Sequence, residues 1–423
     1  MARTKMSCSN VRISSNPGGV KSGSRAVEAG GLRKPKVLYY TDFIYGRKVS
    51  LLRALNELTD LYVAFDHADS SKGEAVLQGV TDQGLELAAT LDRKKIIELD
   101  AVRLMKSFEI PPLRGILRVL RLVVTVDAVL IDDAQTSVGF LLISLLAAVS
   151  RKKRTNMLEG TYLGRFHGFA PLVLASLFKQ ALRIILLHGS TILPASDEAL
   201  LFARRFGLQC NADLSISASL RYVDLEIFHP NILTKRRKRM ELGLSNEDLV
   251  VLYVGGFREV KGFDTLARTF LDFETSRWKL IVVRYGGAFA ELVRLLSERP
   301  NVLFIDPVPF HRMPELYQVS DIVVVPSTRY KGGEDNAPNV VAEAMASGCA
   351  VVCSQSGGVP SMAGDAALYF QRDNSRDLHE KLSFMTEERN LAAYKQSSLQ
   401  RYGSSGPAQT ANVLFAEIAR QLG

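Results

Sequence analysis

Residues 332–358 read GGEDNAPNVVAEAMASGCAVVCSQSGG, a loop with acidic and amide side chains followed at once by an apolar helical pattern. Capping explains half of it: Asp335 and Asn336 can take up orphan N–H groups, Pro338 suits the first turn and Gly348 the position after the last. It does not explain Glu343, eight residues after Asp335 and in mid-helix. The amides between Ala337 and Val341, a span that also holds Asn339 and Val340, lie where a helix N-terminus attracts an anion. Glu343, one to two turns further on, could accept hydrogen bonds from a sugar diol, with Asp335 on the loop above. One anion site between two hydroxyl acceptors fits a sugar nucleotide, whose diphosphate joins ribose to hexose.

Three segments upstream gain weight from their order. LYVGGFREVKGFD ends a strand in Gly255 and Gly256 and opens a helix at Lys261-Gly262; glycines let a ligand approach the backbone, and a lysine there can meet a phosphate. VVRYGGAF puts Gly286-Gly287 between strand and helix, which is also what an ordinary turn needs. VPFHRMPELYQVSDIVVVPS carries His311 and Arg312 before a short helix and a buried strand, where a nucleoside contact competes with a solvated loop.

The elements that hold these residues alternate. KVLYYTDF reads as a strand, then come a loop with Gly46 and the helical KVSLLRALNEL; further strands are expected at DLYVAF, AVLIDD and LSISAS, with helices at VGFLLISLLAAV and DEALLFARRFGL. After YVDLEIFHP the cycle restarts at VVLYVGGF and continues through FDTLARTFLDF, KLIVVRY, AFAELVRLLSER, VLFID, MPELYQVS and DIVVVPS. This rhythm predicts an α/β protein of two Rossmann-like, doubly wound parallel-sheet domains facing across a cleft, with ligands at the carboxyl ends of the strands. The expected divisions are a disordered leader at 1–36, domains at 37–222 and 223–395, and a C-terminal helix at 396–423 that crosses back to the first domain.

The 423 residues are 47% hydrophobic and 23% charged, suited to a globular protein with a large core. A net charge of +9 suits nucleic acid, a membrane surface or an anionic small molecule alike, but no nucleic-acid-reading motif is present. Four scattered cysteines favour a reducing compartment over a disulfide framework or zinc site. The longest apolar run, Val138 to Val149, falls short of the roughly 18–20 residues that span a bilayer. The leader lacks the apolar stretch of a signal peptide, although its basic, Ser-rich start leaves organelle targeting open. The expectation is a cytoplasmic protein.

VDLEIFHP, LYVGGFREVKGFDTL, PELYQVSDIVVVPS and DNAPNVVAEAMASGCAVVCSQSGGVP occur in an order that resembles the C-terminal domain of retaining GT-B glycosyltransferases of the group 1 type, family 4, over about Val223 to Leu368. The first half matches in rhythm and in segments such as NMLEGTY. The family carries Glu, seven residues and a second Glu; here Asp335 stands first and Glu343 second. The resemblance implies that Glu343 holds ribose, Asp335 the donor sugar and Lys261 the diphosphate. Gly256 stands where the family's usual Arg would, and Arg258 follows two positions late. Glu334 either compensates in part for the shorter Asp335 or is merely solvated. Glu159 and His167, in LEGTYLGRFHG, stand near the family's first-domain His.

The implied reaction moves a sugar from a nucleotide diphosphate sugar to a carbohydrate or lipid-linked acceptor hydroxyl with retained configuration, without metal or other cofactor, in polysaccharide or glycolipid synthesis. A sugar-nucleotide epimerase on the same fold and a catalytically silent scaffold subunit are the rival readings. In MKSFEIPPLRGILRVLRLVV, residues 105–124, Leu113, Ile116, Leu117, Val119 and Leu120 recur near helical spacing with Arg114, Arg118 and Arg121 between them. This segment, with SRKKR at 150–154, reads either as a core-facing helix with a solvated basic side or as a peripheral contact with an anionic inner membrane face.

Overall fold

The computed structural model describes residues 33–423 except 42–43, 45, 66–90, 100–101, 106–107, 111–112, 133–136, 159–169, 196, 212–221, 274–277, 287, 331–333, 336–337 and 404–405. The expected leader lies outside the described residues as far as Leu32, as does the whole of the LSISAS strand. The first strand begins at Lys36, one residue before the expected start.

In the first half, β1 (Lys36–Thr41), β2 (Asp60–Phe65), β3 (Ile96–Glu98), β6 (Ala128–Asp132), β7 (Lys153–Leu158) and β8 (Thr191–Pro194) form a parallel sheet in the order β3-β2-β1-β6-β7-β8. An antiparallel pair, β4 (Val102–Met105) and β5 (Phe108–Ile110), stands apart from it, and helix begins only at Leu113. The second half repeats the plan with β9 (Leu249–Gly256), β10 (Trp278–Tyr285), β11 (Val302–Ile305), β12 (Ile322–Val325), β13 (Ala350–Ser354) and β14 (Leu368–Phe370), in the order β11-β10-β9-β12-β13-β14. Each order reverses beside its first strand, which opens a crevice at the carboxyl ends there.

Strand alternation builds a core on each face. In β1, Val37 and Tyr39 enter one cluster and Leu38 and Tyr40 the other; in β9, Val250 and Leu252 oppose Val251 and Tyr253. The boundary expected at 396 falls inside the Glu388–Tyr402 helix. The next helix, Pro407–Leu422, places Ala411, Leu414 and Ile418 in the core of the first sheet, and Gln421 Nε2 donates to Thr155 Oγ1 at 2.8 Å. Between the halves, the Asp224 carboxylate accepts from the Ser50 hydroxyl and from its own Glu226 N–H, so VDLEIFHP is anchored to the first helix, Gly46–Leu58.

The second sheet is riveted by Asp321, just before β12. Its Oδ1 lies 2.7 Å from both Lys235 Nζ and Lys395 Nζ, and its Oδ2 2.6 Å from Arg239 Nη2 and 3.0 Å from the Val250 N–H. Burial alone would push this carboxyl up, but Lys395 and Lys235 outweigh it and hold the group well below the usual carboxylate range. A depressed carboxyl contributes stability that is complete above its unfolded pKa, near 4, and is lost as pH falls toward the lower folded value. Asp321→Asn leaves three cations short of a partner and is expected to cost about 3–5 kcal/mol at pH 7. Urea unfolding at pH 7 and pH 3 checks this: the gap between wild type and variant should narrow at the lower pH, and an equal gap at both would remove Asp321 from the acid response.

Candidate functional site

At the carboxyl edge of the second sheet, β9 runs out into Gly255 and Gly256. The chain then turns through Gly262, in the left-handed region at φ 63°. A Cβ on Gly262 would stand 1.8 Å from the Pro326 carbonyl oxygen, so only glycine lets this loop lie against the end of β12. The Thr328 N–H donates to the Val260 carbonyl at 2.9 Å and closes the contact. Lys261 is thereby held over the crevice, where its Nζ meets Asp335 Oδ2 at 2.6 Å, and the Ser327 hydroxyl donates to the same oxygen at 3.0 Å.

Asp335 is fixed from behind in the same way. A Cβ on Gly357, φ 54°, would lie 2.2 Å from the Asp335 carbonyl oxygen, which instead accepts from the Gly358 N–H at 3.0 Å. Glu334 is neither solvated nor spare: Oε1 pairs with Arg329 Nε at 2.5 Å and Arg372 Nη1 at 3.5 Å, while Oε2 accepts from the Gly357 N–H at 2.9 Å.

The Asn339–Ala346 helix differs from the capping expectation. Its N-cap is Pro338, with no side-chain cap, so Asp335 serves the lysine rather than the helix. Val341 already donates to the Pro338 carbonyl, which reduces the expected run of anion-facing amides to those of Asn339 and Val340 among the described residues. Asn336 and Ala337 lie outside those residues. Gly348 follows the helix at φ 79°, as its position predicts. Half-buried Glu343 accepts the Tyr317 phenol hydrogen at 2.7 Å.

Gly255, Lys261, Ser327, Asp335, Pro338 and Val340 help line a narrow cleft with a cavity volume of about 10 Å³. Three buried polar atoms of this edge have no partner among the described residues: Asn339 Oδ1, Thr328 Oγ1 and Ser356 Oγ. Buried groups of that kind mark places where a ligand or water completes the bonding. Arg258 is exposed, and a Cβ built on Gly256 would lie 3.4 Å from its Nε, so the guanidinium group folds back beside the position that lacks an arginine. Among the expected residues that do not reach this cleft, Arg312 pairs with Glu315 at 3.6 Å and His311 is exposed. Cys349, pushed up to about 12 by burial, and Cys353, raised further by the same cause, are un-ionised members of the core.

Sequence reasoning passed over Ser327, Tyr317, Thr328 and Ser356. The usable signal was position, since three of these four immediately follow β12 or β13, where ligands of such sheets gather. It also missed the corresponding edge of the first sheet. There buried Lys48 and Asp132 pair at 3.0 Å, the Lys48 Nζ donates to Thr41 Oγ1 at 2.5 Å, and the Tyr39 hydroxyl donates to Asp132, whose Oδ1 has no partner among the described residues. Gly46 opens the helix that carries Lys48. Glu159 and His167 lie outside the described residues.

Among solved structures, HepE of Anabaena in complex with UDP is similar over 91% of this chain and 100% of its own, with a TM-score of 0.66 at 14% identity. Sucrose-phosphate synthase from Thermosynechococcus elongatus is similar over 92% and 99%, with 0.60 at 16%. UDP-GlcNAc 2-epimerase from Neisseria meningitidis is similar over 91% and 100%, with 0.57 at 12%. With two six-stranded parallel sheets, the fold is GT-B. Residues 234–401 match the family described as Glycosyl transferases group 1, so the second half carries a domain of that group.

Among relatives by sequence, the D-inositol 3-phosphate glycosyltransferase of Corynebacterium aurimucosum is 30% identical over 39% of this chain and 41% of its own length. That of Mycolicibacterium smegmatis is 27% identical over 47% and 46%. The chain thus spans less than half the length of these relatives in the matched stretches.

Replacing Gly262 by Ala would force a Cβ into the Pro326 carbonyl and should part the two loops. The expected result is a lower melting temperature and lost nucleotide binding. Unchanged binding by calorimetry would show that the close approach is not needed to place Lys261.

Proposed function

We propose that the protein is a retaining glycosyltransferase that takes its sugar from a nucleotide diphosphate donor bound at the carboxyl edge of the second sheet. The observation that carries this reading is the meeting of Lys261 and Asp335, 74 residues apart, at 2.6 Å beside the first turn of the helix that bears Glu343. A lysine held by a carboxylate is a cation parked for exchange: an incoming diphosphate takes over the ammonium and frees Asp335 to accept hydrogen bonds from the donor sugar. Arg258, folded beside Gly256, supplies the second cation, and the N–H groups of Asn339 and Val340 add fixed donors. Glu343, already a hydrogen-bond acceptor, takes the ribose hydroxyls.

In this reading the bond between the anomeric carbon and the diphosphate oxygen breaks, and a bond from that carbon to the acceptor oxygen forms on the same face. The acceptor proton passes to a diphosphate oxygen, so no side chain need act as base. Charge on the leaving group is met by Lys261, Arg258 and backbone donors, a scheme that requires no metal. The names of the sequence relatives and the UDP in the Anabaena complex support a nucleotide sugar donor.

Screening nucleotide sugars for thermal stabilisation tests the donor. Lys261→Ala and Glu343→Ala should each weaken the stabilising nucleotide about 10–100-fold, as expected for a hydrogen bond to a charged group worth roughly 1.5–3 kcal/mol. Full affinity in both would remove the site. Asp335→Glu should keep or raise turnover and Asp335→Ala lower it; an unchanged rate in the alanine variant would end its donor role.

The acceptor side of the proposal is a lipid surface. In the Leu113–Thr125 helix the leucines do not face the core as a group. Gly115, Val119, Leu122 and Val123 are buried, whereas Leu113, Leu117, Leu120 and Val124 form an exposed stripe beside exposed Arg114, Arg118 and Arg121. The adjoining helices Val138–Val149 and Ala170–His188 pack alongside and add exposed Leu145, Val149, Phe178 and Ile185. Apolar side chains flanked by arginines suit an anionic bilayer, and no described helix is long and apolar enough to cross one. Vesicles of rising anionic lipid content should bind the protein at low salt and release it at high salt. Arg114, Arg118 and Arg121 replaced together by Ser should abolish binding, and attachment that ignores this change would exclude the helix.

A further inference from the structure

A second cavity lies at the opposite, amino-terminal edge of the first sheet, under the start of β7 and β8. It has a volume of about 300 Å³ and is lined by Lys152, Lys153, Arg154, Gly189, Ser190, Thr191, Gln209, Arg420 and Gln421. Four of these are cations and none is a carboxylate. Arg420 is largely neutralised by Glu417, which it grips with two bonds of 2.6 and 3.0 Å. The other three are not: among the described residues, no carboxylate pairs with Lys152, Lys153 or Arg154.

Arg154 is the unusual member. It is 94% buried by its 6% exposure, and burial pulls its guanidinium below the usual arginine range with no acid nearby to restore it. Its Nη1 donates to the carbonyls of Ser144 at 3.2 Å and Leu186 at 3.0 Å, and its Nη2 to that of Gly189 at 2.8 Å. These bonds orient the group against the middle of one helix and the end of another, but its Nε has no partner among the described residues. Gly189 is shaped to admit it, because a Cβ there would stand 2.1 Å from Nη2. A buried cation with an unfilled donor, beside two lysines with no carboxylate partner among the described residues and the hydroxyl of Thr191, lacks a negative charge.

We infer that this cavity binds a phosphate-bearing anion, a site separate from the proposed donor cleft. The phosphate oxygens accept from Lys152, Lys153 and the hydroxyl of Thr191, with Arg154 as the fixed charge behind them. One wall is the last turn of the Pro407–Leu422 helix, through Arg420 and Gln421, so an anion bound here ties that helix to the sheet edge. Because Val149, just before this basic stretch, is exposed, the phosphate can be free in solution or carried on a lipid headgroup.

Pyrophosphate is the probe for the soluble form and vesicles containing phosphatidic acid for the lipid form, each compared with chloride at equal ionic strength or with vesicles of another anionic lipid at equal charge. The test set is the full chain, Lys152→Ser/Lys153→Ser, and Lys261→Ala. A melting-temperature rise with pyrophosphate that survives in Lys261→Ala and falls at least tenfold in apparent affinity in the double variant supports the cavity and its soluble ligand. Preference for phosphatidic acid that the double variant loses, without a pyrophosphate response, supports it with the phosphate on a headgroup. A response abolished by Lys261→Ala and kept by the double variant would assign anion binding to the donor cleft alone and overturn the inference, while leaving the glycosyltransferase reading intact. No response beyond the controls in either arm would also overturn it.

Discussion

The site in the second half depends on two approaches of backbone to backbone that only glycine permits. Gly262 lies against the end of β12 and Gly357 against the back of Asp335, both at positive φ and both where a single added carbon would overlap a carbonyl oxygen. Without the first approach, Lys261 would not overhang the crevice; without the second, Asp335 would not stand in front of it. The 2.6 Å ion pair between them is therefore a consequence of packing by the loops rather than of attraction between two mobile side chains. Two charges on flexible loops pay conformational entropy to meet, and loops locked by their own backbone have paid it in folding. Under the proposed function, this leaves the site ready for exchange with a ligand that offers more negative charge than one carboxylate.

The sheet beneath is stiffened by a different device. Asp321, one residue before β12, gathers Lys235 and Arg239 from the Ile232–Glu241 helix and Lys395 from the Glu388–Tyr402 helix. Its remaining bond, from the Val250 N–H, fixes β9 beside β12 at their amino ends. The strands that frame the crevice are thus pinned at the end away from it by charge and at the crevice itself by glycine contacts. Separating the two devices lets the carboxyl edge carry unpaired groups such as Asn339 Oδ1 and Thr328 Oγ1 without loosening the sheet.

Much of this was legible in the sequence because parallel strands buried on both faces write near-continuous apolar runs. VVLYVGG, KLIVVRY and IVVV announced β9, β10 and β12 to within a residue or two. β7 was not announced, and the reason is physical. Its sequence KRTNML buries Arg154, Thr155 and Asn156 at 6%, 1% and 1% exposure, so the polar residues that mark a surface elsewhere mark an interior here. Arg154 reads with its neighbours as one basic surface segment, although its charge is turned inward onto the carbonyls of Ser144, Leu186 and Gly189. Likewise the Leu113–Thr125 pattern has helical spacing but cannot say which of two apolar stripes meets the core. The buried stripe runs through Gly115, Val119 and Leu122, because the small Gly115 lets the helix sit against the Leu99 carbonyl, 3.1 Å from where its Cβ would be.

That same choice of stripe decides what the first half can do. Had Leu113, Leu117 and Leu120 packed inward, the arginines between them would have been a solvated edge of no consequence. Turned outward, the leucines make an apolar surface that water does not favour, and the arginines beside them select what may cover it. A negatively charged lipid surface meets both demands at once, whereas a neutral apolar partner would strand three charges and a soluble anion would leave the leucines wet. Under the proposed function, the two halves would divide glycosyl transfer by solvent. In that proposal the second half arranges fixed donors for a water-soluble diphosphate at the edge of a buried sheet, and the first half offers an exterior suited to an acceptor that water does not carry.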